Sequence, residues 1–162
     1  NAIVKMNEDG SVVVNLALTD YGQGTYTSIR QIVAERLGFP LSRVKVGFEC
    51  DTEKDPYDWQ TVASKGLLLS GNAAILAAED LLKSAYETAA QALRAQPCDL
   101  GHDADKVYLR HHPAKAVSFA SMAVGLALPN GNGIGGPLIG VGRYIAQGLS
   151  FLDKETGEGS PR

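Results

Sequence analysis

A proline-free run from Ser70 to Arg94 repeats apolar residues at helical spacing, and no other stretch limits the fold so strongly. Ile75, Ala78, Leu82, Ala85, Tyr86, Ala89 and Leu93 make one stripe. A helix of this kind needs a second layer to cover its apolar side. Glu79 and Lys83 stand one turn apart with opposite charge, a supporting pair on the helix surface. Pro97 marks the end.

The second layer is read upstream. Ile3–Met6 suits a strand, Asn7–Gly10 a turn, and Ser11–Leu18 a second strand with Val12, Val14, Leu16 and Leu18 on one face. This predicts a β-hairpin. Tyr26–Leu37 suits a helix, with Ile29, Ile32, Val33, Arg36 and Leu37 at helical spacing. Thr25 or Thr27 is its expected cap, and Gly38 with Pro40 its stop. Arg43–Glu49 alternates, with Val44, Val46 and Phe48 inward and Arg43, Lys45 and Glu49 outward. Cys50–Lys65 has no period and reads as a long loop. Lys106–His111 suits a short strand and Ser118–Leu126 a short helix. From Pro129 the chain is glycine-rich and reads as a flexible or extended connection, and Asp153–Arg162 as an exposed tail. The expected fold class is layered α+β: a small mixed sheet with a β-hairpin and two main helices packed on one face. Residues 1–162 are expected to form a single domain, itself a fragment of a larger one.

Composition narrows the function. The 162 residues carry a net charge of −3 with no basic face, which argues against nucleic-acid binding through phosphate neutralisation. No apolar run is long enough to span a bilayer, and no signal-peptide pattern opens the chain, so no membrane role and a cytoplasmic location are expected. Cys50 and Cys98 form no CxxC pair and read as free thiols.

Two loops carry the chemistry. Gly22–Gln23–Gly24 joins a strand end to a helix start. Its glycines let backbone pass close to a bulky ligand, and the helix N-terminus behind it suits an anion or an electron-rich group. Gln23 offers both an amide donor and an acceptor. The same tripeptide also suits a plain tight turn. Thr61–Val62–Ala63–Ser64 sets two hydroxyls before the long helix, and also suits a helix entry with hydroxyl caps.

As a set, the loops carry more. Gly22–Gln23–Gly24–Thr25, Gln31–Gly38, Val44–Lys45–Val46, Asp51–Thr52, Thr61–Lys65 and Gly71–Asn72–Ala73 succeed one another in an order that resembles the molybdopterin-binding subunit of the xanthine dehydrogenase and aldehyde oxidase family. Gly140–Tyr144 and Asp153–Gly159 are similar to the succeeding stretch of bacterial members. The resemblance covers almost the whole chain and is weakest between Ala95 and Val117. It implies a molybdenum hydroxylase with a molybdopterin cofactor, frequently a cytosine dinucleotide in bacteria. Oxygen from water enters an aldehyde or N-heterocycle, and some members act on carbon monoxide or an aromatic thioester. Electrons pass to [2Fe–2S] clusters and usually FAD on other domains or subunits. The implied partners are the remainder of the molybdopterin subunit, iron–sulfur and flavin subunits, and a small-molecule substrate.

By the same resemblance Gln23 faces the metal's oxo ligand or its surroundings. Gly22, Gly24 and Thr25 line the pterin side, and Ala63, Ser64 and Lys65 hold the cofactor from the second loop. Lys65 stands where the family often has arginine; it keeps the charge and loses the planar fork. The family's catalytic glutamate belongs to a segment not represented here. None of Glu35, Glu49, Glu53, Glu79, Glu87, Glu155 or Glu158 sits in its motif, so no catalytic residue is assigned. The implied unit supplies part of a site and does not catalyse alone. The rival reading is a standalone small-ligand-binding or protein-interaction module without catalysis. An unfilled apolar surface would separate the two.

Other residues are read as structural. His111 and His112 are adjacent and would point to opposite faces of a strand. His102 with Asp103 and Asp105 reads as a solvated acidic turn, not a metal site. Tyr57 and Trp59 suit a substrate wall or a loop anchor equally.

Overall fold

The computed structural model describes residues 1–47, 50–58 and 60–159. Phe48, Glu49 and Trp59, and the last three residues of the expected tail, lie outside the described residues. β1 (Ala2–Met6) and β2 (Val12–Asn15) form the expected hairpin, with Val4 opposite Val14 and Met6 opposite Val12. Gly10 turns the chain at φ 75, and its N–H donates to the Asn7 carbonyl at 2.9 Å. The second strand is shorter than its alternation. Leu16 and Leu18 nevertheless stay buried beyond its end.

α1 (Thr25–Leu37) leads to β3 (Val44–Val46), which lies parallel to β2. Gly38, at φ 67, donates to the Glu35 carbonyl while Phe39 N–H reaches the Ala34 carbonyl. These paired bonds stop the helix, and Pro40 cannot continue it. Arg43 departs from the expected strand. It closes a 3-10 turn, Leu41–Arg43, and is not an outward strand residue. Its guanidinium donates to the Gly10 and Ala104 carbonyls at 2.9 and 2.7 Å and pairs with Asp105 at 2.7 Å, over the Phe39 ring. One planar fork can serve several acceptors at once, so a residue that alternation sends to solvent becomes a joint.

α2 (Lys65–Leu93) starts earlier than the apolar stripe suggests. Ala78, Ala85 and Ala89 of the expected stripe are fully buried, as are Ala73, Ala77 and Leu81 beside them, while Ile75 and Leu82 lie half-buried on the flank. Small side chains, easily read as filler, mark the closest approach. Glu79 pairs with Arg36 of α1 across the helix interface, not with Lys83 as expected.

The approach is explained by β9 (Ile139–Gly142), which pairs antiparallel with β1 and completes the sheet order β3-β2-β1-β9. A β-carbon on Gly140 would fall on the Ala77 carbonyl, and one on Gly142 on the Ala73 carbonyl. Bare glycine backbone lets α2 lie directly on this strand. The glycine-rich stretch is therefore partly sheet, not only a flexible or extended connection. α2 lies over β9 and β1, α1 against β3, and the two helices pack on each other. The fold is α+β, with both main helices on one face of a mixed sheet.

A second sheet, β4 (Leu100–His102), β5 (Lys106–Leu109) and β6 (His112–Ser118), packs beside α2. α3 (Phe119–Met122) comes next, capped by Ser118, whose hydroxyl oxygen accepts from Ser121 N–H at 3.1 Å. β7 (Leu126–Ala127) and β8 (Gly133–Ile134) form a short ribbon. His111 and His112 are exposed. His102 is not a solvated turn residue. Its Nε2 donates to the Leu37 carbonyl at 3.1 Å, so Nδ1 accepts from the Tyr86 hydroxyl at 2.7 Å. Burial raises the Tyr86 pKa, which keeps that hydroxyl protonated. Among the described residues, no helix is long and apolar enough to cross a membrane. Residues 153–159 are exposed.

Gly142→Ala should be among the costliest small substitutions, destabilising by about 3 kcal/mol through overpacking of α2 against β9. Gly136→Ala has open space around its added carbon and should stay within about 0.5 kcal/mol. Denaturant midpoints of the two variants check the contrast.

Candidate functional site

The glycine loop is built by Asp20. Its Oδ1 accepts from Gly22 N–H at 2.9 Å and Gly24 N–H at 3.2 Å, and its Oδ2 accepts from Tyr26 N–H at 3.0 Å. These donors, Tyr26 first and Gly22 next, hold the Asp20 carboxyl below its ordinary value. Gly22 and Gly24 sit at φ 109 and 79 with open space around them, so glycine is needed there for conformation, not for room. The expected threonine cap is absent: Gly24 takes the cap position of α1, and Asp20 supplies the acceptor. The chain's own carboxylate thus occupies the helix end that the sequence offered to a ligand. Gln23 folds back on the loop. Its Oε1 accepts from Tyr21 N–H at 2.7 Å and its Nε2 donates to the Thr19 carbonyl at 3.1 Å. One N–H and one lone pair of the amide remain for a ligand.

The second loop is fastened to the first through Thr61. Thr61 Oγ1 accepts from Thr19 N–H at 3.0 Å, and its carbonyl accepts from the Tyr21 hydroxyl. Gly66 completes the joint, since a β-carbon there would lie 2.7 Å from Leu18 Cδ1. Between these points Ala63 and Ser64 are both left-handed, at φ 54 and 57. Consecutive non-glycine residues in this region cost on the order of 1–2 kcal/mol each. Ser64 holds the cap position of α2 without making a side-chain cap bond, so the expected hydroxyl cap is absent. Unlike α1, whose end Asp20 closes, α2 opens beside Ser64 with that hydroxyl uncommitted to the helix.

Together the loops enclose a cleft of about 490 Å³, of a size that suits a small ligand. Of the residues expected at the site, Gln23 and Thr25 line one side and Ala63 and Ser64 the other. Gly22 and Gly24 shape the loop without lining the cleft. Lys65 borders a neighbouring hollow with Phe151 and Lys154. Thr61 and Val62 of the second loop line it too, while Tyr21, Ser28 and Leu67 were not anticipated as lining, nor was Asp20 as organiser. An aspartate two residues before a glycine turn is a readable signal for Asp20. Nothing in the sequence announces the Tyr21–Thr61 bond. Among the described residues, none that lines the cleft carries a charge. Among the described residues, no group of three or more His, Cys, Asp or Glu could hold a metal.

Because the Asp20 pKa is lowered from 3.8 by native donors, its contribution is complete above that value and fades as pH falls through the lowered folded value. Asp20→Asn should therefore speed amide exchange at residues 22–26 at neutral pH. Hydrogen-exchange mass spectrometry should find the same loosening in the unaltered protein only in acid.

Comparisons with known proteins place the chain in a family. The family model described as "Molybdopterin cofactor-binding domain" matches residues 1–162. The chain is 33% identical over 151 residues to "Probable hypoxanthine oxidase XdhD" of Escherichia coli, covering 93% of this chain and 15% of that protein. It is 29% identical over 120 residues to the carbon monoxide dehydrogenase large chain of Hydrogenophaga pseudoflava, covering 74% of this chain and 15% of that one. Among solved structures, reconstituted CO dehydrogenase from Oligotropha carboxidovorans superposes with a TM-score of 0.76 at 27% identity, over 90% of this chain and 18% of that chain. The chain thus spans about 15% of the length of these curated relatives. With the family model matching throughout, and both loops that carried the resemblance meeting at one cleft, the chain belongs to the molybdopterin cofactor-binding domain family.

Proposed function

We propose that this chain is part of the cofactor-holding subunit of a molybdenum hydroxylase, and that its cleft takes the pterin portion of the cofactor. The observation that carries the reading is the meeting of Gln23 and Thr25 with Ala63 and Ser64 across one uncharged cleft. Such a donor set fits a pterin, whose heteroaromatic edge is read by neutral amides and hydroxyls. When bound, the cofactor supplies the two-electron oxidation that inserts oxygen from water into the substrate.

The residues of this chain bind and orient. Gln23, pinned at both ends of its amide, presents its remaining N–H and lone pair in a fixed direction. Ser64 offers its hydroxyl, and the opening of α2 places a positive dipole end beside the electron-rich ligand. Gly22 and Gly24 supply the left-handed turns that hold Gln23 in place, and Lys65 adds a positive charge beside the second loop. The general base and the substrate pocket come from outside this chain.

Exposed apolar side chains also support a piece of a larger subunit over a free-standing module. Val141 is 45% exposed on the uncovered face of the sheet, and Ile145 and Phe151 downstream are 79% and 101% exposed. The remainder of the subunit would cover them. Iron–sulfur and flavin partners would carry the electrons away, and the substrate class is an aldehyde, an N-heterocycle or carbon monoxide.

The test is metal and pterin analysis of the protein purified intact from its own cells. One molybdenum and one pterin per subunit are expected, with cytidine monophosphate released on hydrolysis for the dinucleotide form. A protein without molybdenum or pterin would sink the reading. Gln23→Ala should lower turnover per bound molybdenum by roughly two- to tenfold, the loss of one neutral hydrogen bond to the cofactor. Steady-state assays normalised to molybdenum content check this.

A further inference from the structure

We propose that Tyr21 is a positioning residue that sets the separation of the two walls of the cleft. The proposal rests on the molybdopterin reading above. Tyr21 reaches both walls at once. Its N–H holds the Gln23 amide oxygen at 2.7 Å, and its hydroxyl holds the Thr61 carbonyl. Thr61 is fastened a second time through its own hydroxyl oxygen, which accepts from Thr19 N–H.

The reason for a double fastening lies just downstream. Ala63 and Ser64 keep a left-handed backbone that residues with a β-carbon disfavour. Such a conformation persists where its surroundings hold it on both sides. Thr61 holds the entry, and Lys65 N–H, donating to the Val62 carbonyl at 3.1 Å, holds the exit. The ring of Tyr21 contributes little by burial, since the residue is 68% exposed. Its hydroxyl is what attaches it to the second loop. The same residue lines the cleft, so loosening it moves Ala63 and Ser64 relative to Gln23.

The full molybdenum enzyme carrying this sequence tests the idea. Tyr21→Phe removes only the hydroxyl. Thr61→Val removes the second tie and leaves the carbonyl. Amide exchange at residues 61–66 should rise roughly three- to tenfold in Tyr21→Phe, the size expected for one lost hydrogen bond. Molybdenum and pterin should leave the enzyme faster by a similar factor during dialysis, while exchange in β1 and β2 stays unchanged. Thr61→Val should act in the same direction, and the double variant should show less than the product of the single effects. Unaltered exchange at 61–66 in Tyr21→Phe overturns the proposal. Faster exchange with unaltered cofactor retention also overturns it, because the bond would then be structural only. An unmodified enzyme that lacks molybdenum and pterin fails at an earlier step, and there it is the underlying reading that falls.

Discussion

The close seating of α2 on β9 is the constraint on which the remaining architecture depends. Gly140 and Gly142 remove the side chains that would hold a helix at ordinary distance from a sheet, and Ala73 and Ala77 answer them from the helix. Once α2 is fixed at this depth, its first turn meets Leu18 at Gly66, where a β-carbon would crowd the leucine side chain. That contact brings the second loop against the first. The cleft is thus a consequence of how closely a long helix can approach a strand far from it in sequence.

Within the cleft the two helix ends have different tasks. α1 is closed by Asp20, which spends its carboxylate on three backbone donors and makes the glycine loop a rigid wall. α2 opens without a cap bond from Ser64, behind two residues in a disfavoured backbone. The strained end is the one that faces the cleft with its hydroxyl uncommitted. Rigidity thus lies on one wall and strain on the other, an arrangement common at functional sites.

Much of the fold was legible because it is local. The β1–β2 hairpin arises from alternation and a turn glycine, and α1 ends where Gly38 and Pro40 require. Other features were not legible, each for a physical reason. β9 carries glycine where a readable strand would alternate apolar residues. Arg43 looks like a solvated strand residue until three acceptors and a ring gather around it. His102 looks like part of an acidic turn, yet it ties the end of α1 to Tyr86 of α2.

The candidate site divides the same way. By itself, the sequence determined the chemistry on offer: an amide between glycines, two hydroxyls before a helix, and no charge from Gly22 to Thr25 or from Thr61 to Ser64. It also determined the family, because those short runs keep their order. Only the tertiary structure decided that Gln23 and Ser64 share a cleft, that Asp20 uses up the end of α1, and that Tyr21 and Thr61 join the loops. The reason is distance along the chain. Spacing rules see neighbours a few residues apart, whereas the bond from Tyr21 to Thr61 spans 40 positions and belongs to the folded chain alone.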